Sequence, residues 1–370
     1  MSTPDRRPPL HVGIDGRAFS SPAAGIRRYA RGLTRALAAL PDIRVTVIGG
    51  DAGADGVPDG VARVGEAWHL PGNPGWVLTG LPRTAARARV DVLHALAYTA
   101  PFLAPMPVAV TVHDVSYARH PEWYPHQRDA VRRAYYRISA TRADAVITPS
   151  HFSASEIQAA YGIRTDRIAV VPMAVEAAFA GAGPDADAPL PDGVRDPFAL
   201  HVGDIHARRS PDVVLAALAA LAQRGGPSVQ LVLAGVDRGE VAALASRAPG
   251  CVLALGTVDE GVLTALYRRA ALLVYPSRYE GFGFPIIEAM AAGLPVVASN
   301  AASMPEVAGD AALLVDPEDA DGWAGAVTRL LHDGALRADL VARGRARAGE
   351  FTWGRTARLT ADVYRRLVRA

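Results

Sequence analysis

Residues 275–306, YPSRYEGFGFPIIEAMAAGLPVVASNAASMPE, constrain the fold of this chain more than any other stretch. The run before them, 271–275, is short, apolar and stopped by Pro276, which is the pattern of a buried strand. Pro285 suits the first turn of a helix, where no amide hydrogen is needed, and residues 286–292 continue it. Gly293 ends that helix, and residues 296–298 start the next strand. Strand, glycine-rich loop, helix, strand is the unit of a parallel α/β sheet. Its loop opens at the carboxyl edge of the sheet, where ligands bind in open α/β folds. The amides of Gly281, Phe282 and Gly283, with the positive end of the helix, suit an anion such as a diphosphate. Glu280 in the loop and Glu288 one turn into the helix are expected to face the same crevice. Carboxylates repel phosphate, so these two suit hydroxyl groups, those of a sugar or a ribose.

The rest of the chain repeats the alternation. With 370 residues, half of them hydrophobic, it has material for two cores and two domains. Residues 10–14, 44–48, 61–64, 90–94, 108–112, 143–148 and 168–171 read as strands of the first. A loop leads to a helix opening at Gly25, and 71–75 reads as a turn region. His113 and Asp114 stand at the carboxyl end of a central strand. The helix read over 127–142, from Gln127 on, carries Arg128, Arg132, Arg133, Arg137 and Arg142, with Trp123 and Tyr124 before it. It reads as a solvated arginine face or as a weak peripheral contact with a membrane, and it lacks a strong apolar face. From 176 to 196 the composition shifts to Ala, Pro, Gly and Asp, which marks a linker. Its Asp185-Ala186-Asp187 is not read as a metal site, because nothing nearby completes the coordination. Strands at 198–202, 229–234 and 252–255 follow, with helices at 211–222, 321–331, 335–348 and 355–368. Such alternation implies two doubly wound parallel sheets.

The signature begins with Glu280 and Glu288, seven residues between them. It runs on through Ala289, Met290, Gly293, Pro295 and Val296, then Pro305, Glu306, Gly309, Asp310, Val315, Asp316 and Pro317. This pattern resembles that of the retaining glycosyltransferases of the GT-B fold, the large GT4-like family, and the bacterial mannosyltransferases within it. The resemblance implies an α/β fold of two Rossmann-like domains facing a central cleft. Residues 1–175 would form the acceptor side, 176–196 the linker and 197–352 the nucleotide-sugar domain, with the helix over 355–370 packing back on the first domain. It implies a retaining, metal-independent transfer of a sugar from a nucleotide donor to a hydroxyl acceptor, with GDP-mannose the first choice and UDP- and TDP-sugars open. The acceptor would be a polysaccharide, a glycolipid or a small-molecule glycoside. By the same resemblance Glu288 binds the ribose and Glu280 the sugar. Arg208 and Arg209 neutralise the leaving diphosphate, taking the place of the family's Arg-Lys pair. Gly203 and Gly25 line the phosphate loops, and the loop from Gly281 to Phe284 joins them. His113 lies near the sugar and the acceptor, Asp114 beside it on the acceptor side, and Gly256, Thr257 and Val258 form the base-contacting turn. An inactive sugar-nucleotide-binding partner and a sugar-nucleotide epimerase of related fold are the alternatives.

Composition narrows the chemistry. All 39 basic residues are arginine, so a lysine Schiff base is excluded, and with it the pyridoxal-phosphate phosphorylases of the same architecture. Cys251 is the only cysteine, which rules out an internal disulfide. No cofactor, no metal and no nucleic-acid partner is expected. Residues 1–175 hold 20 arginines against 14 acidic residues, an excess that suits an acidic acceptor or a membrane surface as well as a solvated face. The opening MSTPDRRPP lacks the apolar core of a signal peptide, and the apolar run over 95–112 is broken by Pro101, Pro105 and Pro107. A cytoplasmic protein, peripheral at the membrane at most, is the expectation.

Overall fold

The computed structural model describes residues 8–50, 56–124, 129–180, 189–226 and 228–369. The chain divides into two compact units, residues 1–174 with 352–370, and residues 175–351. Gln127, Arg128 and the Asp185-Ala186-Asp187 triplet lie outside the described residues.

The first unit is built on seven strands: β1 (Leu10–Asp15), β2 (Ile43–Ile48), β3 (Ala62–Val64), β4 (Val92–Ala95), β5 (Val108–Thr111), β6 (Ala145–Thr148) and β7 (Ile168–Val170). Their order is β3-β2-β1-β4-β5-β6-β7, all parallel. The central strands β4, β5 and β6 are buried at every position, so they are apolar on both faces rather than alternating. The second unit has β8 (Phe198–Val202), β9 (Gln230–Ala234), β10 (Val252–Gly256), β11 (Leu272–Tyr275), β12 (Val296–Ser299) and β13 (Leu313–Val315), ordered β10-β9-β8-β11-β12-β13 and again parallel. These are the two doubly wound sheets that the alternation predicts. In each the direction of winding reverses once, between β1 and β4 and between β8 and β11. The loops leaving those strands diverge there and open a crevice.

One segment differs from the sequence reading. Residues 71–75 read as a turn because of their glycines and proline, yet helical backbone runs Gly72–Gly75, Trp76–Gly80 and Leu81–Arg87. Packing overrides local propensity here. Trp76 is buried, and added Cβ atoms at Gly49 and Gly80 would each lie 2.2 Å from its ring. The glycines make room for the indole, and the indole holds the helix.

The last helix, Trp353–Arg369, belongs to the first unit. It crosses helix Ala24–Ala38 at Gly32, where a Cβ would come within 2.2 Å of the Trp353 ring. A buried polar thread fixes it to the sheet. The Tyr364 hydroxyl meets His94 Nδ1 at 2.7 Å, His94 Nε2 meets Thr111 Oγ1 at 2.8 Å, and Thr111 meets the Tyr29 hydroxyl at 3.1 Å. Among the described residues no helix is long and apolar enough to cross a membrane.

Candidate active site

In the second unit the sequence-predicted residues gather where the sheet reverses. β8 is followed by Gly203, whose φ of +119° is open to glycine and strained for other residues. A Cβ there would lie 1.7 Å from Arg209 Nη1, so this glycine also admits the guanidinium. The Arg209 side chain folds back under the loop. Its Nε donates to Glu280 Oε1 at 2.8 Å, its Nη1 to the Asp204 carbonyl at 3.3 Å, and its carbon lies 5.9 Å from the centre of the Tyr275 ring. Arg208 Nη2 stands 3.7 Å from Glu280 Oε2. The Arg208 carbonyl accepts from the Arg278 amide at 2.8 Å, which ties the β8 loop to the β11 loop.

Glu280 is 7% exposed. Burial alone would raise its pKa, but the charges of Arg209 and then Arg208 outweigh burial and hold it below the usual carboxylate value. Ser303 staples the loop from the next strand's end, its hydroxyl donating to the Glu280 and Phe282 carbonyls at 2.8 and 2.9 Å. Gly283, at φ +103°, precedes helix Phe284–Ala292, which has no side-chain cap at its start. The loop residues Gly281 and Phe282 are buried beside it.

Glu288 departs from the expectation. Rather than lying open on the crevice it is 1% exposed, and it accepts from the Tyr267 hydroxyl at 2.7 Å. Tyr267 is a buried residue of helix Glu260–Arg269, which packs against the Glu288 helix. The carboxylate of Glu280 meets cations, and that of Glu288 meets a phenol. Gly256 (φ +68°) ends the edge strand β10, with exposed Thr257 and Val258 after it at the same carboxyl edge of the sheet, and the Gly256 carbonyl accepts from the Gly235 amide at 2.8 Å.

Sequence reasoning missed Tyr275, Ser303, Tyr267 and His201. Tyr275 and Ser303 lie inside the matched stretch, where Tyr275 reads only as the end of a buried strand. His201 stacks beside Tyr275 at 6.0 Å, and burial, then the charge of Arg209, lowers its pKa to about 4. β8 is buried at every position, so a histidine within its apolar run was the available signal.

The first unit holds the remaining candidates. Gly25 is exposed in the first turn of helix Ala24–Ala38, which opens at an alanine with no side-chain cap. His113 follows β5, its ring edge-on to Tyr29 at 5.1 Å and to Tyr98 at 5.7 Å. Nε2 donates to the Leu96 carbonyl at 3.0 Å, which leaves Nδ1 as the acceptor of a neutral ring. Burial pushes its pKa down to about 4, against the smaller upward pull of Asp114. Asp114 Oδ1 accepts from the Ser116 amide at 2.9 Å and its hydroxyl at 2.6 Å.

These histidines make acid stability predictable. Burial, with a smaller push from His113, lowers His94 to about 3, so both rings stay neutral in the folded state while the unfolded chain takes up protons near pH 6.5. Their contribution is complete above pH 6.5 and is lost as pH falls towards about 4 and about 3. Each should cost about 1.4 kcal/mol per pH unit in that window. Urea midpoints measured from pH 7 to pH 5 should fall, and His94→Gln should flatten the slope. An unchanged slope in that variant refutes the assignment.

The chain matches two family models in succession, Glycosyltransferase Family 4 over residues 23–179 and Glycosyl transferases group 1 over residues 186–347. It is 30% identical over 265 residues to the O-antigen chain mannosyltransferase B of Escherichia coli, which covers 70% of each protein. The chain belongs to the group 1, family 4 glycosyltransferases. A second relative, a D-inositol 3-phosphate glycosyltransferase of Acidothermus cellulolyticus, is 33% identical over 242 residues, 60% of this chain and 53% of that protein. Solved structures share the fold of this glycosyltransferase over nearly its whole length. Sucrose-phosphate synthase of Thermosynechococcus elongatus has a TM-score of 0.73 at 24% identity, covering 98% of this chain and 99% of that one. The Anabaena HepE protein, crystallised with UDP and glucose, has a TM-score of 0.72 at 20% identity, covering 97% and 100%.

Proposed function

We propose that this glycosyltransferase takes mannose from GDP-mannose, without a metal ion, and transfers it to an acceptor hydroxyl with retention of configuration. The observation that carries this reading is the clamp on Arg209, held by Glu280, the Asp204 carbonyl and the Tyr275 face, with Arg208 beside it. Breaking the glycosidic bond leaves a nucleoside diphosphate that gains negative charge. Fixed guanidinium groups meet that charge without reorganising, and such preorganised charge supplies much of the rate enhancement of many enzymes. Guanidinium forks also fit phosphate oxygens in pairs. Glu280 has a double part, orienting Arg209 and accepting from the sugar hydroxyls. Glu288 takes the ribose hydroxyls once the donor draws it from Tyr267. His113 offers Nδ1 to a sugar or acceptor hydroxyl. Front-face attack by the acceptor keeps the configuration, with the departing diphosphate as the base. The mannosyltransferase relative supports the choice of sugar.

Thermal shift separates the donor candidates. GDP-mannose at 100 times its Kd should stabilise the second unit by about 2.7 kcal/mol, equally with EDTA or magnesium. Protection by UDP-glucose and none by GDP-mannose would overturn the donor. Turnover lost in EDTA and restored only by a divalent ion would overturn metal independence.

The proposal includes a weak membrane contact. Helix Ala130–Arg142 exposes Val131 at 81% and Ile138 at 39%, and Arg132, Arg137 and Arg142 are exposed beside them. Apolar side chains among arginines suit an anionic lipid surface. Flotation with phosphatidylglycerol vesicles should recover the protein at low salt, and Val131→Asp should abolish recovery. Equal flotation of the variant refutes the contact.

A further inference from the structure

We infer that Tyr98, Tyr117, Tyr124 and Tyr136 form a stacking platform for a neutral saccharide acceptor on the first unit. The inference rests on the glycosyl-transfer reading and names the class of its second substrate.

The four rings make one continuous surface. Tyr98 stacks on Tyr136 at 5.5 Å and 22°, Tyr117 tilts against Tyr136 at 6.0 Å, and Tyr124 stands edge-on to Tyr117 at 5.1 Å. All four are half-buried. A core cluster of this size would bury its rings, as Tyr29 and Tyr364 do in the same unit. Pyranose rings present C–H groups on a face, and those weakly positive hydrogens meet the negative face of an aromatic ring.

The platform lies at the carboxyl edge of the sheet. Tyr98 follows β4, one of the two strands where the order reverses, and packs against His113, which follows β5. The Ser116 hydroxyl bonds both the Asp114 carboxylate and the Tyr124 hydroxyl, so the acceptor-side carboxylate is fixed to the rings.

Backbone strain points to the same place. Among the described residues four non-glycine positions have positive φ: Arg89, Tyr98, Ser210 and Ala302. Ser210 follows Arg209, and Ala302 precedes Ser303, the residue that staples the Glu280 loop. Two of the other three thus sit in donor-site loops. Tyr98, at φ +54°, is held by its amide bond to the Thr111 carbonyl at 2.9 Å. A bulky residue in this conformation is kept against a cost, and such residues cluster at ligand sites.

Charge selects a neutral ligand. Arg132, whose charge acts on Tyr136 from the same helix, is paired with Asp129 at 3.1 Å. Asp114 adds a carboxylate, which would repel a phosphorylated acceptor and accept from sugar hydroxyls.

The test uses the full-length chain, with α-linked mannobiose as probe and calorimetry or saturation-transfer NMR as readout. Wild type should bind saturably. Tyr136→Ala should weaken binding about tenfold, and Tyr136→Phe, which keeps the ring, by less than about twofold. The pair Tyr117→Ala and Tyr117→Phe gives the same reading should Tyr136→Ala fail to fold. GDP, titrated into the same samples, should bind all variants alike. No binding of mannobiose to wild type, equal binding to the alanine variants, equal loss in alanine and phenylalanine variants, or tighter binding of myo-inositol 1-phosphate overturns the platform. Failure of GDP to bind wild type overturns the donor reading instead, and the mannobiose result stands independently of it.

Discussion

Arg209→Ala should lower kcat roughly 10²–10³-fold, a loss of about 2.7–4 kcal/mol, the scale for removing one preorganised donor from a developing anion. The arginine has no local substitute. Arg208 is 3.7 Å from Glu280, against 2.8 Å for Arg209 Nε, and it is the weaker partner of that carboxylate. Removing Arg209 also takes the stronger cation from a buried carboxylate and leaves it only Arg208 at 3.7 Å and the Ser277 hydroxyl at 3.3 Å, so part of the about 3–5 kcal/mol cost of breaking a buried ion pair should appear. The melting temperature should therefore fall together with the rate. Arg209→Lys keeps the charge and should recover much of both. It cannot reach Glu280 and the Asp204 carbonyl with the same planar fork, so recovery should stop short of wild type. Steady-state kinetics with GDP-mannose, on samples shown to be folded by circular dichroism, provide the check. A lysine variant as inactive as alanine would mean that the fork, and not the charge, decides.

Glu280 and Glu288 should fail differently. Glu280→Gln keeps an oxygen for the Arg209 Nε–H but removes the charge that orients both arginines. Its kcat should drop about 10²-fold or more, the scale for misplaced reacting groups. Free GDP lacks the transferred mannose that Glu280 is placed against, so it should bind this variant nearly as well as wild type. Glu288→Ala should mainly raise the donor KM, because ribose contacts are alike before and during bond cleavage. GDP should bind it weakly. Calorimetry with GDP reads both without any acceptor. Weak GDP binding to the Glu280 variant and normal binding to the Glu288 variant would exchange the two roles.

Much of the donor-side geometry was legible because it follows from backbone rules. Pro285, Gly283 and Gly293 announce where a helix starts and stops, and the strand before Pro276 follows from its apolar run. The arginine pair was legible as charge near the β8 turn. Its clamp was not, since the ion pair joins residues 71 apart in sequence. Glu288 shows the same limit. Helical position fixes where its Cα lies, but Tyr267, 21 residues earlier, decides whether the carboxylate is open or sealed. The helical run from Gly72 was hidden because Trp76, Gly49 and Gly80 form one packing unit that no local window contains. The tyrosine surface was hidden for a similar reason. Its members come from a loop, two short turns and a helix, and nothing in their spacing marks them as neighbours.

The thread from Tyr364 to His94 spans 270 residues of chain, and it sets an order of assembly. Residues 175–351 form a continuous unit that can close while the end of the chain is still being made. The first unit is synthesised earlier yet completed later, because its sheet waits for the Trp353–Arg369 helix. Until that helix docks, the buried faces of Tyr29, Leu33 and Leu37 have no cover from it, and His94 lacks its phenol. Until that helix is made, the amino-terminal sheet lacks this cover, and apolar surface left uncovered in a nascent chain favours aggregation and proteolysis.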